Sequence, residues 1–444
     1  MTLPPCLAAD QAPQTTLTLA EPDAATGLVQ RTVLTGGLRV ITETLPGTSV
    51  AVGITADSGT RDEDTAHAGA AHFLEHLLFK GSTTRSRTEL LGALDGVGAR
   101  HNAFTTQEST TVRAHLRGGD LPVALDVLSD VVAHAALDPE AMEVERGVIL
   151  QEIDLHTGNH LEHVGELFTS ALFAGSGLGA SIGGTPHSIR SISRQAVADC
   201  YRAAYVPSRL IVSAAGALEH DLVVDQVRTA LSATMMATDG ALPARPRPAH
   251  PRVRVSCGTT IESRDIDQAH LVLGVEGLAH TDERSYALQL VSAVLGEGPM
   301  SRLCARLREE RGLVYAVFSS LNSFADTGEL TFYAGCAPER ADEVIALMRQ
   351  ELEEVAAKGI GAAELDRARA RVLGGLALDH ESVLDRRSGL VESELYHPRF
   401  VGLSERIERV QAVTPEEVAE VAAQVLTRPQ TVAAVGPLDP DHVF

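Results

Sequence analysis

Residues 1–23 contain no lysine, no arginine and no sustained apolar core. That removes both the basic start of a secretion signal and the arginine-rich character of a transit peptide. Residues 1–27 read instead as a disordered leader. Cysteine is scarce. Cys6, Cys200, Cys257, Cys304 and Cys336 are odd in number and scattered without close pairs, which excludes a disulfide framework or a thiolate zinc cluster and fits reduced thiols in a cytoplasmic enzyme. Long apolar runs are missing too: stretches such as Leu210–Leu218 fall short of the roughly 20 residues needed to cross a bilayer. Positive charge is in deficit, with 37 Lys and Arg against 59 Asp and Glu, a net charge of −22. Neither nucleic acid nor an anionic membrane is expected as a partner, whereas a basic peptide is favoured by such a field. Gly296-Glu297-Gly298 is not followed by Gly-Lys-Ser/Thr, so no nucleotide phosphate loop is present there.

What the chain does have is enough length for more than one hydrophobic core: 444 residues, 44% of them apolar and 22% charged, as in folded globular proteins of two or more domains. Residues 236–251 (MATDGALPARPRPAHP) lack any helical or strand period and read as a linker. The order of elements on its two sides is similar. Ser193–Tyr205 leads through Pro207 into an apolar strand at 210–215 and Gly216. In the second half Thr414–Leu426 leads through Pro429 into 431–435 and Gly436. Two strand-rich stretches, 103–116 and 314–336, are each followed by a helix-like run, 121–133 and 340–355. The expectation is an α+β protein of two related domains, residues 28–235 and 252–444, made by an internal repeat.

Near the front, Thr35-Gly36-Gly37 makes a hairpin turn and Val50–Ala56 a buried strand. Apolar residues then recur at helical intervals over 68–79, and this helix carries His72-Phe73-Leu74-Glu75-His76. Imidazoles at i and i+4 stand about 40° apart around a helix, so both reach one ion. Zinc suits two neutral imidazoles and one carboxylate, which leaves a position for water of lowered pKa. Glu75 lies beside that position as general base. A second helix, 139–155, carries Glu145 and Glu152 on one face, about 10 Å apart along its axis, so only one can readily be the third ligand. Spacing alone does not choose between them, and a solvated acidic face accounts for either. His156, His160 and His163, at i, i+4 and i+7, read as another solvated helix face.

The chain resembles the M16 metallopeptidases, the group of pitrilysin, insulin-degrading enzyme and mitochondrial processing peptidase, and within it the short bacterial branch. The resemblance runs from about Val29 to about Pro437 and rests on His72-x-x-Glu75-His76 and on Glu145-Arg146-Gly147-Val148-Ile149-Leu150-Gln151-Glu152-Ile153. It implies Glu152 as third zinc ligand and Glu145 as the carboxylate that orients the site. Asn102-Ala103-Phe104-Thr105 is similar to the family's edge-strand segment, which implies that Asn102, Ala103 and Phe104 bind an extended peptide by strand addition. Leu307–Tyr315 resembles the second-domain motif, which implies that Arg308 and Tyr315 hold the substrate carbonyl and its oxyanion. A surface arginine and a core-edge tyrosine are the alternatives the residues themselves leave open. The implied protein is a clamshell of two α/β-roll domains with one zinc per chain. It would hydrolyse unfolded peptides with zinc-bound water, as a homodimer or paired with a related chain. The rival is a non-catalytic relative that serves as a scaffold or substrate-binding subunit.

Overall fold

Along 49–56 the residues Val50, Val52 and Ile54 alternate with Ala51, Gly53 and Thr55, so a strand there must be covered on both faces. The computed structural model describes residues 15–23, 25–64, 67–231, 247 and 253–444. In it this strand lies inside a seven-stranded sheet, in the order β1 (Thr16–Ala20), β2 (Leu28–Val33), β3 (Arg39–Thr44), β7 (Leu210–Gly216), β4 (Ser49–Ala56), β6 (Thr110–Arg117), β5 (Arg100–Thr105). Gly36 and Gly37, at φ 86° and 88°, turn β2 into β3, as read from the sequence.

A second sheet runs β10 (Val314–Ser323), β11 (Gly328–Cys336), β9 (Ala269–Glu276), β12 (Gln430–Gly436), β8 (Gly258–Ser263). Read from the other edge, β8-β12-β9-β11-β10 repeats β3-β7-β4-β6-β5. The parallel contact falls at the same place in both, β3 with β7 and β8 with β12, and every other contact in these five-strand sets is antiparallel. The fold is therefore α+β with an internally repeated topology. β5 and β10 are the corresponding edge strands.

Two expectations are corrected. The leader is not wholly irregular, because Thr16–Ala20 forms β1 and pairs antiparallel with β2. The Thr-Leu-Thr-Leu alternation of 16–19 is the strand signal, and it lies inside the segment read as a leader. Residues 1–14 lie outside the described residues, as does Cys6. The division into units also departs from a cut at the linker. One unit comprises 1–153, 180–248 and 378–404, and the other 154–179, 249–377 and 405–444. A helix of the second half, Val383–Tyr396, packs on β3, β4 and β7. A helix of the first half, His160–Leu172, packs on β9 and β12. Each sheet has an apolar second face that a helix must cover: Ile41, Ile211 and Ala215 meet Leu390, Val391 and Leu395, and Val272, Ala433 and Val435 meet Val164, Phe168 and Leu172. Of the linker 236–251 only Arg247 is described. Its guanidinium is buried and ion-paired with Asp57 and Asp62 at 2.7 Å each.

Candidate metal centre

The helix Ala70–Leu78 buries Ala70, Phe73, Leu74, Leu77 and Leu78 in the core of the first unit, which turns His72, Glu75 and His76 to the other face. Its start is held tightly. Glu63 accepts from the Gly69 and Ala71 amides at 2.8 and 2.6 Å, and burial pushes its carboxyl up to about 7. Gly69 (φ 91°) lies against Gly184 (φ 72°), where a Cβ on Gly184 would stand 3.1 Å from the Gly69 Cα. Only glycine suits either position.

The helix Pro139–Gly158 is the source of both carboxylates. Arg146 ties it to the motif helix: its guanidinium lies over the Phe73 ring, 5.4 Å from the centroid, and donates to the carbonyls of Ile189 and Ile192. Glu152 is half-exposed and brings Oε2 to 3.2 Å from His76 Nε2 and 3.9 Å from His72 Nε2. Glu145 is buried. Its Oε2 stands 3.1 Å from His76 Nδ1 and its Oε1 2.5 Å from Lys80 Nζ.

His72, His76 and Glu152 are the one group of His, Cys, Asp and Glu among the described residues whose donor atoms converge as metal ligands would, all within 4.8 Å of one another. In a tetrahedral zinc site with bonds of about 2.0–2.2 Å, ligand atoms stand about 3.3–3.6 Å apart. The separations of 3.2 and 3.9 Å bracket that range. The two rings meet edge to face. Burial first, and the neighbouring His76 second, hold His72 down to about 4, so its imidazole is in the neutral form a metal requires. Its Nδ1 is buried with no hydrogen-bond partner among the described residues, and its Nε2 faces Glu152. The residues fit zinc.

Glu75 is not in that group. Thr105, at the end of β5, donates to its Oε2 at 2.7 Å. Burial raises the Glu75 pKa and the Thr105 hydrogen bond opposes the rise. Among the described residues β5 is an unpaired edge. Asn102 on it is exposed, Ala103 packs towards the core of the motif helix, and Phe104 carries the Arg113 guanidinium over its ring at 5.0 Å.

Arg308 and Tyr315 belong to the second unit. Cys304–Glu310 is a π-helical turn, and Gly312 (φ 60°) leads from it into β10. The Tyr315 side chain is 82% exposed, which removes the core-edge alternative. Arg308 is half-exposed, 3.6 Å from Glu309. His156, His160 and His163 do not lie on one continuous helix, which is interrupted at Asn159. His163 pairs with Glu262 at 2.7 Å, and the His160 ring lies tilted against that of His270, 5.4 Å between centroids. That face is half-buried rather than solvated.

Thr105 and Lys80 were missed in the sequence. Strand alternation from Asn102 puts Thr105 on the opposite face, towards Glu75. Lys80 follows His76 by four residues.

Residues 39–186, which hold this whole cluster, match the family described as "Insulinase (Peptidase family M16)". Residues 191–372 match "Peptidase M16 inactive domain". A Streptomyces coelicolor protein named an uncharacterized zinc protease is 38% identical over 95% of this chain and 93% of its own length. A Mycobacterium tuberculosis protein of the same description is 39% identical over 94% and 95%. The chain belongs to the M16 peptidase family. Among solved structures, a protease from Helicobacter pylori shares the M16 chain's fold with a TM-score of 0.83 at 21% identity, over 92% of this chain and 99% of that one. A Pseudomonas fluorescens structure titled a peptidase M16 inactive domain does so at 0.82 and 18%, over 93% and 99%.

Proposed function

We propose that this M16 chain is a zinc-dependent endopeptidase acting on extended peptides, with His72, His76 and Glu152 as metal ligands and Glu75 as general base. The observation that carries the reading is the convergence of the two Nε2 atoms on Oε2 of Glu152 beside a half-buried carboxylate, Glu75, that is not itself one of the three. The relatives named zinc proteases support it. Zinc held there supplies Lewis acidity that brings the pKa of a coordinated water towards neutrality.

The residues of the chain account for the remaining work. Glu75 keeps one oxygen on the Thr105 hydroxyl, which leaves the other to take a proton and pass it to the leaving amine, and burial raises its pKa in the direction that makes it a better base. Glu145 fixes the His76 ring through Nδ1, so that Nε2 is the free donor. The open edge of β5 offers backbone donors and acceptors at Asn102–Phe104 to a peptide strand, which accepts varied side chains. Arg308 and Tyr315 are proposed as donors to the developing oxyanion, a role their exposure permits. A closed chamber and a dimer, with itself or with a related chain, belong to the same proposal, and sedimentation of the purified protein tests the dimer.

The description "inactive domain" falls on 191–372, outside the cluster. The test is Glu75→Gln. It should retain about one zinc per chain and lose peptide hydrolysis. A wild-type protein without stoichiometric metal, and inert on a peptide library, would favour the scaffold reading instead.

A further inference from the structure

The face of the first sheet turned away from the motif helix carries an unusual charge. Arg387, on the helix Val383–Tyr396, is 1% exposed. Its Nη1 reaches the Ser213 hydroxyl at 3.0 Å, its Nη2 reaches Ser388 Oγ only at 3.5 Å, and its Nε has no partner. No carboxylate among the described residues pairs with it. Nη1 of the guanidinium comes up against Gly53, where a Cβ would stand 2.6 Å from Nη1 and 3.2 Å from the Cβ of Arg113. Arg113 is half-buried with its guanidinium over the Phe104 ring, and among the described residues no carboxylate pairs with it either.

The neighbours on the same helix and sheet show what is missing. Arg39 and Arg31 share Glu394, at 3.6 and 3.3 Å, and Arg386 takes Glu43 at 2.7 Å. Among the described residues Arg387 and Arg113 have no such partner, in a chain with 22 more acidic than basic residues. Burial, and Arg113 beside it, lower the Arg387 pKa to about 10, which still leaves it charged at neutral pH. A buried cation next to a second cation is costly unless an anion joins them, and paired guanidinium forks are suited to oxygen anions.

We propose that Arg387 and Arg113 form an oxyanion-binding site on this face, with Ser213 as a neighbouring hydroxyl and Gly53 as its floor. The ligand is a single phosphate or carboxylate group. Two sources share that chemistry. One is free inorganic anion. The other is an acidic side chain or terminal carboxylate of a peptide on β5, because Asn102 is the register partner of Arg113 and a peptide residue paired opposite Asn102 would share the sheet face that Arg113 occupies. The second source rests on the peptidase reading and the first does not.

The test uses the full zinc-loaded chain and the variants Arg387→Met and Arg113→Gln. Thermal unfolding is followed while sodium phosphate is titrated, with sodium methanesulfonate holding the ionic strength. A saturating rise in Tm on the order of 5 °C, lost in both variants, supports a free anion. Phosphate on the metal would persist in these variants, because the zinc ligands are untouched. In a second arm, paired peptides differing only by Asp or Asn at one position are compared. A kcat/KM preference for Asp on the order of tenfold, lost in the variants, supports a peptide carboxylate. If Arg387→Met does not fold, Arg113→Gln carries both arms. Absence of both responses in the wild type, or responses that the variants leave unchanged, overturns the proposal. A chain that cleaves no peptide yet shows the Arg-dependent phosphate response refutes the peptidase reading and leaves this one standing.

Discussion

His76 stands between two carboxylates of one helix, Nδ1 3.1 Å from Glu145 and Nε2 3.2 Å from Glu152. The seven-residue spacing of the glutamates sets one on each side of the ring, so their roles differ although their chemistry is the same. Glu152→Gln is expected to remove a ligand and empty the site. Glu145→Gln is expected to weaken zinc by about 10–100-fold by releasing the ring. Competition with a chelator of known affinity measures both, and a metal lost only on changing Glu145 would reverse the assignment.

Thr105→Val removes the hydroxyl that donates to Glu75 while keeping the shape of β5. That hydrogen bond favours the ionised carboxylate and opposes the rise caused by burial. Without it the Glu75 pKa rises further, so the base is protonated to a higher pH. The acid limb of kcat/KM should move to higher pH, with zinc content unchanged. An unmoved limb would show that Glu75 is not the group being titrated.

Tyr315→Phe and Arg308→Ala are expected to lower kcat by about 10²–10³ with little change in KM. Tyr315 is largely exposed, so the Tm of Tyr315→Phe should scarcely move. Steady-state kinetics beside a melting curve separate the two effects, and an unchanged kcat returns Tyr315 to a surface residue.

Gly274→Ala addresses the helix that crosses from the first half of the chain to the second sheet. A Cβ at Gly274 would stand 2.5 Å from Phe168 Cζ and 2.6 Å from the Leu330 carbonyl. Forced overpacking of this kind costs about 1–3 kcal/mol, read as a lower midpoint in urea. Zinc content should not change, since every proposed ligand is in the other unit.

The motif helix, the hairpin at Gly36-Gly37 and the repeat of strands were legible in the sequence because they depend on neighbours: apolar residues at three- and four-residue steps, glycines where φ is positive, and alternation in strands. The same local geometry put His72 and His76 on one helix face. The choice between Glu145 and Glu152 was not legible from spacing, because both lie on one face of a second helix. It depends on how far along that helix the imidazoles fall, and packing sets this through Arg146 over Phe73. Thr105 meets Glu75 across 30 residues of chain, and Arg387 meets Ser213 across 174. The exchange of helices between the two halves of the chain is non-local in the same way, since either apolar sheet face could accept either helix by composition. Sequence by itself determined which side chains can bind a metal or move a proton. Tertiary structure alone decided which of them face one another, because contacts between distant segments follow from packing, which no local period encodes.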